Sequence, residues 1–210
     1  MSHMPEVPGW QSANANVFWR DIARFDHIIQ IYESEGVLLD ALTGFVFSAI
    51  ECDEAAVIIA TDAHLNKLED RMETYDLNVE KLIASKKFVP LNAEEVLAEF
   101  MVNNMPDKVL FKKVLSTLFT TVSSNNKKKI MAFGEMAALL WKKGNEKAAI
   151  ELEHLWSDMS RHDSFSLFCA YPKSAFNPDE KNSEPVVCST YTKMICGKTK
   201  QVTHIYYKQL

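Results

Sequence analysis

The chain has 210 residues, enough for one domain and an extension at roughly 150 residues per domain. Apolar residues make up 47% and charged residues 24%, a globular balance that excludes a disordered tail, a coiled coil and a collagen-like rod. With 23 Lys and Arg against 28 Asp and Glu, the net charge of −5 gives no bulk attraction for nucleic acid or an anionic membrane.

Residues 1–24 read as a polar lead-in, with Trp10, Phe18 and Trp19 as clasps onto the body. His27 to Tyr32 (HIIQIY) is a β-branched run of strand length, and the apolar spacing of Leu38, Leu42, Phe45, Val46 and Ala49 predicts a helix over 37–50. Ala55 to Ala60 (AAVIIA) has the continuous apolar character of a strand buried on both faces. Thr61 caps the next predicted helix, which carries Leu65, Leu68, Met72 and Tyr75 on one side. Phe88 to Leu91 is a third strand, and Asn92-x-x-Glu95 opens a helix through Phe100 and Met101 that Pro106 breaks.

A helix over 109–122 and a strand over 129–133 (KIMAF) follow. Gly134-Glu135 leads into a short helix over 136–142, and Gly144-Asn145 turns the chain into a longer one through Leu152, Leu155, Trp156 and Met159. Ser164 to Tyr171 (SFSLFCAY) is the fifth strand. Between 27 and 171 strand and helix alternate with no tight hairpin. The expected fold is therefore a three-layer α/β domain with a mostly parallel central sheet and helices on both faces. Beyond Pro172, a helix over 186–195 and a late strand over 202–207 are expected.

No apolar stretch approaches the roughly 20 residues that span a bilayer, and no basic segment followed by an apolar one marks a signal peptide. Cys52, Cys169, Cys188 and Cys196 form no CxxC pair and no zinc-like spacing, so a reducing cytoplasm and no metal are expected. The Lys127–Lys129 run reads as a solvated turn.

In an open α/β sheet, ligands bind beyond the carboxyl ends of the strands. The first strand-to-helix turn there, Tyr32-Glu33-Ser34-Glu35-Gly36, has one glycine, no lysine and two carboxylates. A phosphate loop needs the opposite: backbone amides and a lysine around the anion. The turn therefore speaks against ATP hydrolysis, and no G-x-G-x-x-G loop is present.

Cys169 reads either as a thiolate nucleophile or as a small buried side chain, and its apolar run favours the second. His27 is a site residue or a histidine satisfied by backbone. Glu135 is a surface carboxylate at a helix N-terminus or a functional group at the mouth of the crevice, where Gly134 permits close approach. Glu33 carries the same two readings, and Tyr32, Phe133 and Tyr171 suit an apolar pocket with polar anchors.

HIIQIYES (27–34), LLDALTGFV (38–46), AVIIATDAHLNKLEDRM (56–72), FMVNNMPD (100–107), AFGEMAALLWKKGNEKAAIELEHLW (132–156) and FSLFCAYP (165–172) together resemble the MEDS domain, the DcmR-like sensory domain of methanogen and methylotroph regulators. The resemblance covers residues 25–176, with 177–210 as an extension packing on the same domain. It implies a RecA-like fold related to the circadian-clock ATPases with a degenerate phosphate loop and no functional Walker A motif. It also implies signal input by recognition of a small hydrocarbon derivative, often beside a histidine kinase or a DNA-binding module. His27, Tyr32, Glu33, Gly134, Glu135, Cys169 and Tyr171 fall on the family's motif positions. Where relatives carry C-x-x-H late in the domain, this chain has Cys188-Ser189-Thr190-Tyr191.

The expectation is a non-enzymatic sensory domain without a cofactor, binding a small organic ligand through His27, Tyr32, Glu33, Phe133, Gly134, Glu135, Cys169 and Tyr171. Its signal would pass to a histidine kinase, another signalling protein or a second copy of the chain. The alternative is a ligand-free interaction or dimerisation module that uses the degenerate nucleotide site as its docking surface.

Overall fold

The computed structural model describes residues 10–13, 27–123, 129–163, 165–175, 193–197 and 204–208. In chain order these form β1 (Trp10–Ala13), β2 (His27–Tyr32), α1 (Glu35–Glu51), β3 (Ala55–Ala60), α2 (Asp62–Thr74), α3 (Val79–Ala84) and β4 (Phe88–Asn92). There follow α4 (Ala93–Ala98), β5 (Met101–Val102), β6 (Met105–Pro106), α5 (Lys108–Ser123), β7 (Ile130–Gly134), α6 (Met136–Lys142) and α7 (Glu146–Asp163). The last elements are β8 (Ser166–Pro172), β9 (Lys193–Gly197) and β10 (His204–Lys208).

Eight strands form one sheet in the order β1-β10-β9-β2-β8-β7-β3-β4. From β9 to β4 every pair is parallel, while β10 runs antiparallel to β9 and to β1. The alternation of side chains along each strand sorts the core into two layers. Ala55, Val57 and Ile59 of β3 face the layer built with α4 to α7, and Ala56, Ile58 and Ala60 face the layer built with α1 to α3. All six are fully buried, as the uninterrupted AAVIIA run requires. Pro90 is tolerated within β4 because that strand lies at the edge of the sheet, where a missing N–H breaks no ladder bond on the open side.

The aromatic centre of the layer built with α4 to α7 is Trp156 on α7. Phe111 meets it edge-on at 5.3 Å between ring centroids, and Phe165 does so at 6.1 Å. Across the sheet Phe133 packs against Phe168 at 5.1 Å, and Phe168 against Phe45 at 5.4 Å.

The five predicted strands and the main helices all form, with ends shifted by a few residues. Three expectations need correction. The helix opened by Asn92 stops at Ala98 rather than reaching Met101. Asn92 does cap it, accepting from the Glu94 and Glu95 amides at 2.8 and 3.1 Å. A tight hairpin does occur inside the domain: Val102 pairs with Met105 across Asn103 and Asn104, whose φ values of 51° and 62° give a two-residue turn with both centres left-handed. Asparagine tolerates that conformation better than most residues, and the turn displaces the helix.

Within the lead-in, Trp10–Ala13 pairs with β10. At the other end, Lys193–Ile195 is strand rather than helix, because parallel pairing with β2 from Ile28↔Lys193 to Tyr32↔Gly197 decides the conformation. The expected helix residues 186–192, together with Phe18, Trp19, Lys127, Lys128, Ser164 and Cys188, lie outside the described residues. The late strand forms as β10, and α3 was not expected; Asn78 starts it by accepting from the Lys81 amide at 2.8 Å. Among the described residues no helix is long and apolar enough to cross a membrane.

Candidate functional site at the strand ends

Strands β2, β3 and β7 end on one edge of the sheet, and α1, α2 and α6 start there. The β2–α1 connection is two residues long, Glu33 and Ser34. Glu135 follows β7 directly. Its amide donates to the Ile59 carbonyl at 2.9 Å, which extends the β3–β7 ladder by one bond and fixes the backbone that launches its side chain.

That side chain is 6% exposed. Its carboxylate accepts from the Thr61 amide at 2.9 Å, from the Thr61 hydroxyl at 3.3 Å and from His64 Nδ1 at 2.8 Å. Thr61 is the N-cap of α2, so Glu135 closes the start of a helix other than its own, where the N-terminal dipole favours a negative charge. The other imidazole nitrogen, His64 Nε2, lies 3.3 Å from Glu35 Oε1, and Lys67 Nζ lies 2.6 Å from Glu35 Oε2. A line of alternating charge thus runs Glu135–His64–Glu35–Lys67, from the buried strand end to solvent. Arg71 pairs with Asp40 one turn further along and braces α2 against α1 in the same way.

The electrostatics follow from this arrangement. The hydrogen bond to Glu135 raises the proton affinity of His64, against the opposing effect of burial, and the charges of Glu135 and Glu35 add to the rise. Lys67 lowers that of Glu35 through its hydrogen bond. Tyr32, at the end of β2, is pushed far above the ordinary phenol value, first by burial and then by the charges of Glu135 and Glu35. Its hydroxyl stays protonated and remains a donor.

Of the residues expected in the site, Tyr32 and Glu135 come together here. Glu33 is near the same edge but turns to Lys173, whose ammonium is 2.9 Å away. Gly134 stands under the Trp156 ring, 3.5 Å from where a Cβ would sit, so the close approach it allows is to a side chain of α7. Phe133 is fully buried in the layer under α1.

Cys169 and Tyr171 lie on the other face of the sheet, beneath α7, and His27 meets Cys169 and Glu153 there. Tyr171 donates to Glu153 Oε1 at 2.5 Å, and His27 Nε2 lies 3.5 Å from Glu153 Oε2 and 3.6 Å from Cys169 Sγ. His27, Glu153 and Cys169 each offer one ligand atom within 4.8 Å of the others.

Sequence reasoning missed His64, Glu35 and Glu153 as site residues. Only Glu153 left a signal: it sits among Ala149, Leu152 and Trp156, a charge inside the buried stripe of an amphipathic helix.

Comparison with known proteins agrees with this architecture. A KaiC-like protein from the hyperthermophilic archaeon Pyrococcus horikoshii OT3 superposes with a TM-score of 0.60 at 10% identity, over 88% of this chain and 79% of that one. At that identity the likeness is one of fold, and the fold is RecA-like three-layer α/β. No curated protein matches. A family model, the MEthanogen/methylotroph, DcmR Sensory domain, matches residues 26–183, and the chain belongs to this MEDS family of sensory domains.

Proposed function

We propose that this sensory domain takes a small organic ligand at the ends of β2, β3 and β7 and passes its binding on to a signalling protein such as a histidine kinase. The observation that carries this reading is the Glu135–His64–Glu35 line, which joins the end of β7 to the first turns of α2 and α1. Two carboxylates and a protonated phenol favour a ligand with a protic head, a hydroxyl or an amine, on a short hydrocarbon body. Such a head competes with His64 for Glu135. A ligand transmits a signal only through differential affinity for two states, and the two states here are α1 and α2 bridged through His64 or released from it.

The two-residue β2–α1 turn supports a site that does not hold a triphosphate: it has neither the length nor the cation of a phosphate loop, and Glu33 and Glu35 flank it. This reading makes the domain a binder rather than an enzyme. The test is a thermal-shift panel of short alcohols, amines and other small hydrocarbon derivatives on the wild type and on Glu135→Gln. A stabilising ligand whose effect shrinks in Glu135→Gln supports the reading. Indifference across the panel, or turnover of a nucleotide, overturns it.

A second reading, a ligand-free module that associates with another copy of itself, is favoured by four exposed apolar side chains. Val102 and Met105 on the β5–β6 hairpin neighbour Val109 and Leu110 in the first turn of α5. Sedimentation of the wild type as a monomer at high concentration counts against it.

A further inference from the structure

On the sheet face opposite Glu135, a histidine, a cysteine and a glutamate meet in the protein interior. The geometry points to a metal site: we propose that His27 Nε2, Cys169 Sγ and a carboxylate oxygen of Glu153 together hold one Zn2+.

Burial is the first argument. His27 and Cys169 are 1% exposed and Glu153 is fully buried. Burial shields the three ligand atoms from water, and a divalent cation held where they converge would be the largest local charge of the site.

Distance is the second. A single atom, His27 Nε2, lies 3.5 Å from Glu153 Oε2 and 3.6 Å from Cys169 Sγ. The carboxylate separation exceeds the roughly 2.7–2.9 Å of a charge-assisted hydrogen bond. Both separations match the edges of a tetrahedron built on Zn–S of about 2.3 Å and Zn–N and Zn–O of about 2.0–2.2 Å, which come to about 3.4–3.6 Å.

The outer contacts and the scaffold complete the case. Tyr171 donates to Glu153 Oε1 at 2.5 Å and so directs the other carboxylate oxygen toward His27, the kind of orienting bond that metal-ligating carboxylates receive. His27 and Cys169 stand on the adjacent parallel strands β2 and β8, whose register pairs His27 with Leu167 and Ile29 with Cys169. Glu153 is on α7, packed against them. Each ligand thus rides on a rigid element. A thiolate with an imidazole selects a borderline-soft ion over magnesium or calcium, and three protein ligands leave a fourth position for water or a small ligand. Binding displaces the thiol proton. The ligands lie at 27, 153 and 169, a spacing no sequence motif encodes.

The test is metal content and Co2+ titration of the full chain, purified without chelators. Wild type is expected to carry one Zn2+ per chain and to give, with Co2+, a thiolate-to-metal charge-transfer band and the intense visible bands of a tetrahedral site. Cys169→Ser, which keeps Cys52, Cys188 and Cys196, should lose the band and bind at least tenfold more weakly. Glu135→Gln should retain both band and stoichiometry. A chain with Cys52, Cys188 and Cys196 all changed to Ser keeps Cys169 as its one thiol and should still give the band, which decides the matter if Cys169→Ser fails to fold. A wild type without a charge-transfer band, a Cys169→Ser variant with wild-type metal content, or a Cys169-only chain without the band overturns the site.

Discussion

Glu135 and His64, 71 residues apart in sequence, meet at 2.8 Å and bind the end of β7 to the first turn of α2. The pair fixes how stability responds to pH. His64 holds its proton more tightly in the folded chain than at the ordinary value of 6.5. Its contribution is therefore fully present below about 6.5 and is lost as pH rises through the higher folded value. Glu35 is shifted the other way from 4.5, so its contribution is present above that value and fades as pH falls through the lower folded one. Lys67 opposes the first shift and helps the second. The cluster contributes most between about pH 4.5 and 6.5. Thermal melts from pH 5 to 9 should show wild type losing stability above pH 6.5 relative to His64→Gln. Parallel curves for the two chains would disprove the linkage.

Removing the charge but not the shape of Glu135 isolates the rest of the pair. Glu135→Gln keeps an oxygen for the Thr61 amide, 2.9 Å away, and gives up the ion pair. Hydrogen bonds to charged groups contribute about 1.5–3 kcal/mol, and partial exposure at the His64 side takes the expected loss to about 1–2 kcal/mol. In urea titrations the midpoint should fall with an unchanged slope.

Gly134 and Trp156 make a steric prediction. An added Cβ at 134 meets the indole ring at 3.5 Å, ordinary contact. Gly134→Ala should then stay within about 0.5 kcal/mol of wild type. Gly134→Leu drives further atoms into a ring already packed by Phe111 and Phe165, an overpacking cost of about 1–3 kcal/mol. Trp156→Ala empties the centre of that layer and should cost about 3–5 kcal/mol. Equal effects of Ala and Leu at 134 would refute this account.

Most of the sheet was legible because β2, β3, β7 and β8 are buried on both faces, and continuous apolar runs such as AAVIIA leave little else for a chain to be. KMICG carries no such mark. Its strand character comes from pairing with β2, a partner more than 160 residues away in sequence. The β5–β6 hairpin hid behind a helical apolar spacing that runs on through Phe100 and Met101 until two asparagines turn the chain. The strand-end rule located Glu135 and Tyr32. It could not reveal that Glu135 faces His64, nor that His27, Cys169 and Tyr171 face away toward Glu153, because strand alternation assigns a side chain to a face but not to a partner on the covering helix.

The hairpin turn is open to direct test. Asn103 and Asn104 both have positive φ, so glycine at either should be neutral or stabilising by a few tenths of a kcal/mol, and Asn103→Val should cost about 1–2 kcal/mol. Differential scanning calorimetry of the three variants reads this order. A tolerated valine would mean that the turn is not held as described.

Tyr32 separates binding from folding. Its hydroxyl is held protonated at the end of β2 by burial and by the charges of Glu135 and Glu35, so it can donate to a ligand head but cannot ionise near neutral pH. The ring supplies the packing and the hydroxyl supplies the contact. Tyr32→Phe keeps the ring's packing and should therefore stay within about 0.5 kcal/mol of wild type. Its affinity for a protic ligand found in the thermal-shift panel should fall about tenfold, which corresponds to roughly 1.4 kcal/mol. Calorimetric titration gives the ratio directly. A ligand that binds Tyr32→Phe as tightly as wild type, yet loses affinity in Glu135→Gln, would confine recognition to the β3–β7 side of the edge and remove Tyr32 from the site.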